Sequence, residues 1–218
     1  MHRLVVLLAL ACVVALPARA ADLRVESPGI RTGDTWMYNK LDGWTGALQD
    51  ISVNSVTKID REGIAMQSGS LDGSVTAKVQ RTSAFNLVRI DGPGIRQTAT
   101  PFYPNYSFPL YAGKSWAGKV VLNHSRQGDT EVVAELSGRA VRWEMVTVPA
   151  GNFLALRLEM KGTYVSRGML GTVSGTIEDT LWYSPEVRNA VRYEYKDFVG
   201  GSRYNHEVHE LARFWPGP

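Results

Sequence analysis

The residues able to run acid–base or metal chemistry near neutral pH are four histidines, His2, His124, His206 and His209. His206-Glu207-Val208-His209-Glu210 invites comparison with zinc-protease helices, where His-Glu-x-x-His puts both imidazoles on one helix face. Here the second histidine comes one residue early. On a strand, positions three apart face opposite ways, so this pair cannot chelate one ion. Solvated or edge histidines and no metal are expected. A serine hydrolase needs a Gly-x-Ser-x-Gly elbow, and Gly171-Thr172-Val173-Ser174-Gly175 lacks the spacing. A triad could still assemble through space around His124, which keeps a hydrolase with a non-standard site as an alternative. No phosphate loop or dinucleotide fingerprint occurs, so no cofactor is expected and no catalytic residue is named.

Binding chemistry has more to work with. Asp179 shares a strand parity with Val173, Ile177, Leu181 and Tyr183, so a carboxylate is directed into an apolar face. Such a group must be paired or hydrogen-bonded. A structural ion pair with an arginine is expected, or recognition of a ligand amine; Glu178 should point the other way. The chain also has six tryptophans and nine tyrosines, rings that stack on sugars, line apolar pockets or fill β cores. Core filling is the expected role of Trp36, Trp116, Trp143 and Trp182. Tyr103, Tyr106, Phe108 and Tyr111 fall in or beside the proline-rich run Thr100–Pro109 and read as exposed, a lip or lid over a ligand. The candidate ligand-binding residues are Tyr103, Tyr106, Phe108 and Asp179.

The elements that must hold these groups are strands. Period two dominates from about Trp36 to Phe214. Leu154, Leu156, Leu158 and Met160 fall on one face of a strand, with Phe153, Ala155, Arg157 and Glu159 on the other. Val141, Trp143 and Met145, then Val191, Tyr193 and Tyr195, alternate with polar neighbours in the same way. Turn signals are Asp42-Gly43, Glu62-Gly63, Asp72-Gly73, Gly128-Asp129, Ser137-Gly138, Lys161-Gly162 and Gly200-Gly201. The fold class expected is all-β: an antiparallel meander forming a curved, partly open barrel, a barrel, or two packed sheets. Gly33-Asp34-Thr35-Trp36 is echoed by Gly113-Lys114-Ser115-Trp116, so one domain over 21–218 with two related halves, about 30–100 and 110–215, is a further reading.

Residues 1–20 read as a secretory signal peptide: basic Met1–Arg3, apolar Leu4–Leu16, and Ala18-Arg19-Ala20 before a cut between Ala20 and Ala21. The run is short for a bilayer span, and no transmembrane helix is expected. Arg3 and Arg19 leave with it, which lowers the formal net charge of +3 to about +1. With no basic block, nucleic acid is not an expected partner. The single cysteine, Cys12, lies inside the leader, so the mature chain has neither a disulfide nor a thiolate metal site, and the apolar run continues past Cys12, unlike a lipidation site.

Val146-Thr147-Val148-Pro149-Ala150-Gly151-Asn152-Phe153 and Thr180-Leu181-Trp182-Tyr183-Ser184-Pro185, with Gly-x-(Ser/Thr)-Trp, resemble a group of uncharacterised exported bacterial β-proteins. These share a Val-Pro-Ala-Gly-x-Phe turn and a Trp-Tyr-Ser-Pro strand end. More loosely, their architecture is similar to the open β-barrels of periplasmic lipoprotein carriers. The residues themselves are folding instructions: Pro149 presets a turn, Gly151 can take positive φ, and Pro185 stops a strand. The function expected is a non-catalytic periplasmic or envelope protein (alternatively extracellular) that binds a lipid or other apolar or amphipathic small molecule in a curved sheet. The alternatives are a structural or interaction module docking an envelope protein through a sheet edge, and the hydrolase above. An outer-membrane barrel fits less well, since Arg142, Glu144, Arg192 and Glu194 interrupt any apolar outer band.

Overall fold

The computed structural model describes residues 23–93, 95–125, 129–169 and 171–218. The leader at 1–20, the cut at Ala20-Ala21, Cys12 and Gly128 lie outside these residues. The described chain is all strand and turn: β1 (Arg24–Val25), β2 (Thr35–Asp42), β3 (Leu48–Asp60), β4 (Gly63–Gly69), β5 (Val75–Arg81), β6 (Leu87–Gly92), β7 (Ile95–Tyr103), β8 (Leu110–Tyr111), β9 (Ser115–Ser125), β10 (Asp129–Val148), β11 (Gly151–Gly168), β12 (Gly171–Ser184), β13 (Asn189–Val199) and β14 (Ser202–Trp215). Twelve of them form one antiparallel sheet in the order β10-β11-β12-β13-β14-β2-β3-β4-β5-β6-β7-β9, and β9 pairs with β10 again. The meander therefore closes into a barrel. β1 and β8 pair with each other outside it.

Most turn signals mark reversals. Asp42 accepts from the backbone N–H of Trp44 and Thr45, Asp72 from that of Ser74, and Gly200 and Gly201 both take positive φ. Two signals do not. Ser137-Gly138 lies inside β10 and Lys161-Gly162 inside β11, each midway along a continuous ladder. The reason is close approach rather than reversal. A Cβ on Gly138 would lie 2.2 Å from the Trp116 ring, and one on Gly162 would lie 2.1 Å from the Glu135 carbonyl.

Parity holds inside the barrel, where Leu156, Leu158 and Met160 are buried, and fails at the tip of the β10–β11 hairpin. There Leu154 and Met145 are exposed and Phe153 and Ala155 are buried. A bulge between Ala140 and Arg142 bends the hairpin, and its tip reaches β14, where Ala150 N donates to Leu211 O. That contact buries the opposite side.

The strand directions give the barrel two unlike ends. One carries short reversals such as 43–47, 70–74 and 200–201. The other receives the segment before β2, the 82–86 turn, the 104–110 segment, the hairpin tip and the C-terminus. Trp36, Phe85, Tyr106, Leu110, Tyr183 and Val187 pack there as a dry plug. Asn86, fully buried, locks two of these pieces: its amide donates to Tyr106 O (2.9 Å) and accepts from Tyr106 N (2.8 Å), as a strand neighbour would.

The Gly-x-(Ser/Thr)-Trp echo recurs in the backbone. Gly33 N donates to Val56 O and Val56 N to Asp34 O; Gly113 N donates to Ala140 O and Ala140 N to Lys114 O. Gly33 and Gly113 take φ of +89° and +90°, open to glycine at little cost. The strands they open, β2 and β9, stand six places apart in the ring of twelve.

The outward face carries charge. Across β11, β12, β13 and β14, Lys161, Glu178, Lys196 and His206 are successive register partners, and Lys161 pairs with Glu178 at 3.0 Å. Lys119–Glu135 and Arg167–Glu131 continue the pattern on β9, β10 and β11. Acyl chains would not solvate this face; water does. No helix among the described residues is long and apolar enough to cross a membrane.

Candidate functional site

Above the plug the barrel encloses a cavity of about 880 Å³. Its walls are apolar at Met66, Val79, Leu87, Leu122, Ile177 and Leu181, and tyrosines project into it from β2, β7, β11 and β13. Val173 and Tyr204, both exposed, stand at the end with the short reversals, so the cavity opens there. Phe85 and Tyr106 form its floor. Leu181 and Val173 are eight residues apart on β12, so at about 3.3 Å per residue and ~40° of tilt it is about 20 Å deep. Its volume and mixed lining are those of a small-molecule pocket.

Asp179 is fully buried, as its parity requires, but no arginine among the described residues pairs with it. Its two oxygens accept from Tyr103 OH at 2.7 Å and Tyr193 OH at 3.1 Å. Tyr103 reaches it across the barrel from β7. Burial pushes the Asp179 carboxyl up to about 6, against the opposing pull of the two hydroxyls. Burial, followed by the Asp179 charge, holds the Tyr103 and Tyr193 hydroxyls well above their ordinary range. The carboxylate stands behind these tyrosines rather than on the cavity surface. The buried carboxylate–arginine pair lies elsewhere: Asp34, 0% exposed, meets Arg188 at 2.5 Å and also accepts from Gly217 N and Arg31 N. It ties both chain ends to the plug, and nothing in the local pattern of polar loop residues around Asp34 marks it as buried.

The proline-rich run is not an exposed lid. Tyr106 is buried in the floor, Phe108 packs edge-on to Tyr183 in the plug at 5.6 Å, and Tyr103 lines the wall. Only Tyr111 is exposed. Asn86 and the Trp116 indole, which donates to Pro104 O, fold the run inward. Of the four candidate binding residues, Tyr103 and Tyr106 face the cavity, Asp179 supports Tyr103 from behind, and Phe108 lies below. Trp36 is core and Trp116 and Trp143 are half-buried. Trp182 sits between Arg157 and Arg192 and donates to Glu144, which places it at the outer margin.

The histidines go different ways. His206 and His209 face opposite sides of β14: His209 lines the cavity beside Tyr193, and His206 is outside. His206 is nonetheless buried, under Trp44 and against Gly43, where a Cβ would lie 2.3 Å from the ring. Its Nε2 meets Glu194 at 2.7 Å. His124 lines the cavity, and burial pushes its pKa down. No serine–histidine hydrogen bond and no metal-competent cluster occurs among the described residues.

The residue not singled out from sequence is Arg81. It ends β5 on the parity of Val75, Ala77 and Val79, and the inward-charge reasoning applied to Asp179 would have found it. It lines the cavity near the floor, and burial lowers its pKa from the usual guanidinium value.

No protein-family model matches the chain, and no curated protein matches it either. Among solved structures it is similar to a Parabacteroides distasonis protein provisionally described as a lipoprotein, with TM-score 0.53 and 15% identity over 85% of this chain and 96% of that one. It is also similar to a Bacteroides fragilis protein provisionally described as exported, with a YmcC-like fold, with TM-score 0.51 and 17% identity over the same shares. The shared property is the fold.

Proposed function

We propose that this protein is a non-catalytic exported protein of the cell envelope that holds an apolar or amphipathic small molecule inside its barrel. The cavity of about 880 Å³ carries the reading: apolar side chains such as Met66, Val79, Leu122 and Ile177 share its walls with seven tyrosines and with polar and charged side chains that include Arg81 and Asp197, and it has one open end and one plugged end. Export is supported by the leader-like residues 1–20 and by the likeness in fold to proteins provisionally described as exported or as lipoproteins. A charged outer face around a cavity with apolar side chains in its walls suits a carrier that shields a lipid from water. Docking through a sheet edge is confined to the β1–β8 pair and the overhanging tip of the β10–β11 hairpin, because the closed barrel leaves no barrel strand wholly unpaired. Native mass spectrometry of protein purified from the envelope tests the reading: a bound lipid-sized mass released on unfolding is expected, and a bare protein that also takes up no hydrophobic dye refutes it.

A further inference from the structure

Arg81 lines the cavity near its floor without a counterion among the described residues. None of the ion pairs among the described residues includes it. Its Nη1 donates to Phe85 O at 3.0 Å, its guanidinium lies 4.6 Å from the Phe85 ring, and its Nε is shut off from solvent with no partner. Its electrostatic neighbours are the hydroxyls of Tyr38, Tyr106 and Tyr193. Tyr38 OH donates to Ala190 O and Tyr193 OH to Asp179, and among the described residues the guanidinium's hydrogen bond goes to Phe85 O rather than to any of these hydroxyls. A guanidinium has five donors and no acceptor, and one held half-buried with an Nε out of reach of water is costly until an anion meets it. Asp179 does not serve: β12 stands six places from β5 in the ring, and both its oxygens are taken. Asp197, also on the cavity surface, accepts from Tyr164 on the opposite wall.

We infer that the ligand is a long-chain carboxylate bound head-down, its carboxylate on Arg81 at the floor and its chain running up the apolar walls toward Val173 and Tyr204. The inference rests on the cavity reading above and names the ligand class. One fixed cation matches one negative charge, which favours a carboxylate over a dianionic alkyl phosphate. The guanidinium fork accepts a carboxylate through paired N–H···O bonds. The depth of about 20 Å suits a chain rather than a compact head group.

The test is calorimetric titration of delipidated protein with hexadecanoate, hexadecan-1-ol and hexadecyl phosphate, repeated on Arg81→Met. Hexadecanoate should bind about ten- to a hundredfold more tightly than the alcohol, the advantage of a charge-assisted pair. Arg81→Met should abolish that preference while keeping the alcohol's affinity. Equal affinity for acid and alcohol in the wild type overturns the head-down carboxylate and leaves the cavity reading standing. Preference for the phosphate overturns the choice of head group. Failure of all three probes to bind overturns both. Because Arg81 also braces the Phe85 turn, a variant that does not fold leaves the decision to the wild type. There the ¹³C shift of carboxyl-labelled hexadecanoate should stay at its ionised value below the pH where the free acid protonates; protonation at the ordinary pH refutes the pairing.

Discussion

Asp179 makes stability fall as pH rises through mildly acidic values, the reverse of the usual behaviour of a paired carboxylate. Its folded-state pKa is about 6, above the ordinary 3.8, because burial outweighs the two tyrosine hydroxyls. Between these values the folded protein holds a proton that the unfolded chain has released, so lowering the pH favours folding. At about 1.4 kcal/mol per decade the interval amounts to roughly 3 kcal/mol, present below pH 4, lost progressively to pH 6 and absent above it. Asp179→Asn removes the titration with little change in shape. Urea unfolding followed by tryptophan fluorescence, from pH 3.5 to 7.5, gives both stabilities. Their difference isolates Asp179, since every other group is common to the pair; Glu207, held down to about 2 by His209 first and then by Lys40, titrates below the window. The wild type should lose about 3 kcal/mol against Asp179→Asn between pH 4 and 6. Tyr103→Phe, which removes a donor to the carboxylate, should move the window upward. A difference that is flat, or that rises with pH, refutes the argument from burial.

Asn86→Ala strands the N–H and C=O of Tyr106 inside the plug and should cost about 2–6 kcal/mol in urea unfolding, at 1–3 per buried unpaired group. Arg188→Met leaves the Asp34 charge buried without its cation and should cost about 3 kcal/mol or more. Adding Asp34→Asn should recover part of that loss, so the double variant is the more stable of the two when their urea midpoints are compared.

Alternation carried most of the fold, because a strand that is wet on one side writes its burial into every second residue. Val191, Tyr193 and Tyr195, and Leu156 to Met160, went where their parity sent them. What alternation could not supply was the meaning of an interrupting glycine. Gly138 and Gly162 have the same local neighbours as a turn glycine, and only the ring of Trp116 and the carbonyl of Glu135, brought close by pairing, distinguish them. The site divided along the same line. The inward direction of Asp179 was readable; its tyrosine partners were not, since Tyr103 lies 76 residues away and meets it only across a closed barrel. The proline-rich run looked exposed because prolines interrupt ladders, yet an inward fold satisfies the remaining backbone groups through Asn86 and Trp116.

Two inward-facing charges of the barrel, Asp179 and Arg81, are handled in opposite ways, and the contrast bears on what the cavity is for. Asp179 is screened by two hydroxyls and withdrawn behind them, so nothing entering the cavity need neutralise it. Arg81 stands half-buried on the cavity surface with one hydrogen bond and an aromatic face, and its Nε has no partner. Had Arg81 served only to brace the Phe85 turn, a methionine could cover the ring without leaving a donor unpartnered. Had it served only to balance Asp179, the two would lie within reach; they stand on opposing walls instead. On the proposed reading, a cation left short of partners at the plugged end of the cavity favours one orientation of an amphiphile, with its charge on Arg81 and its tail at the mouth.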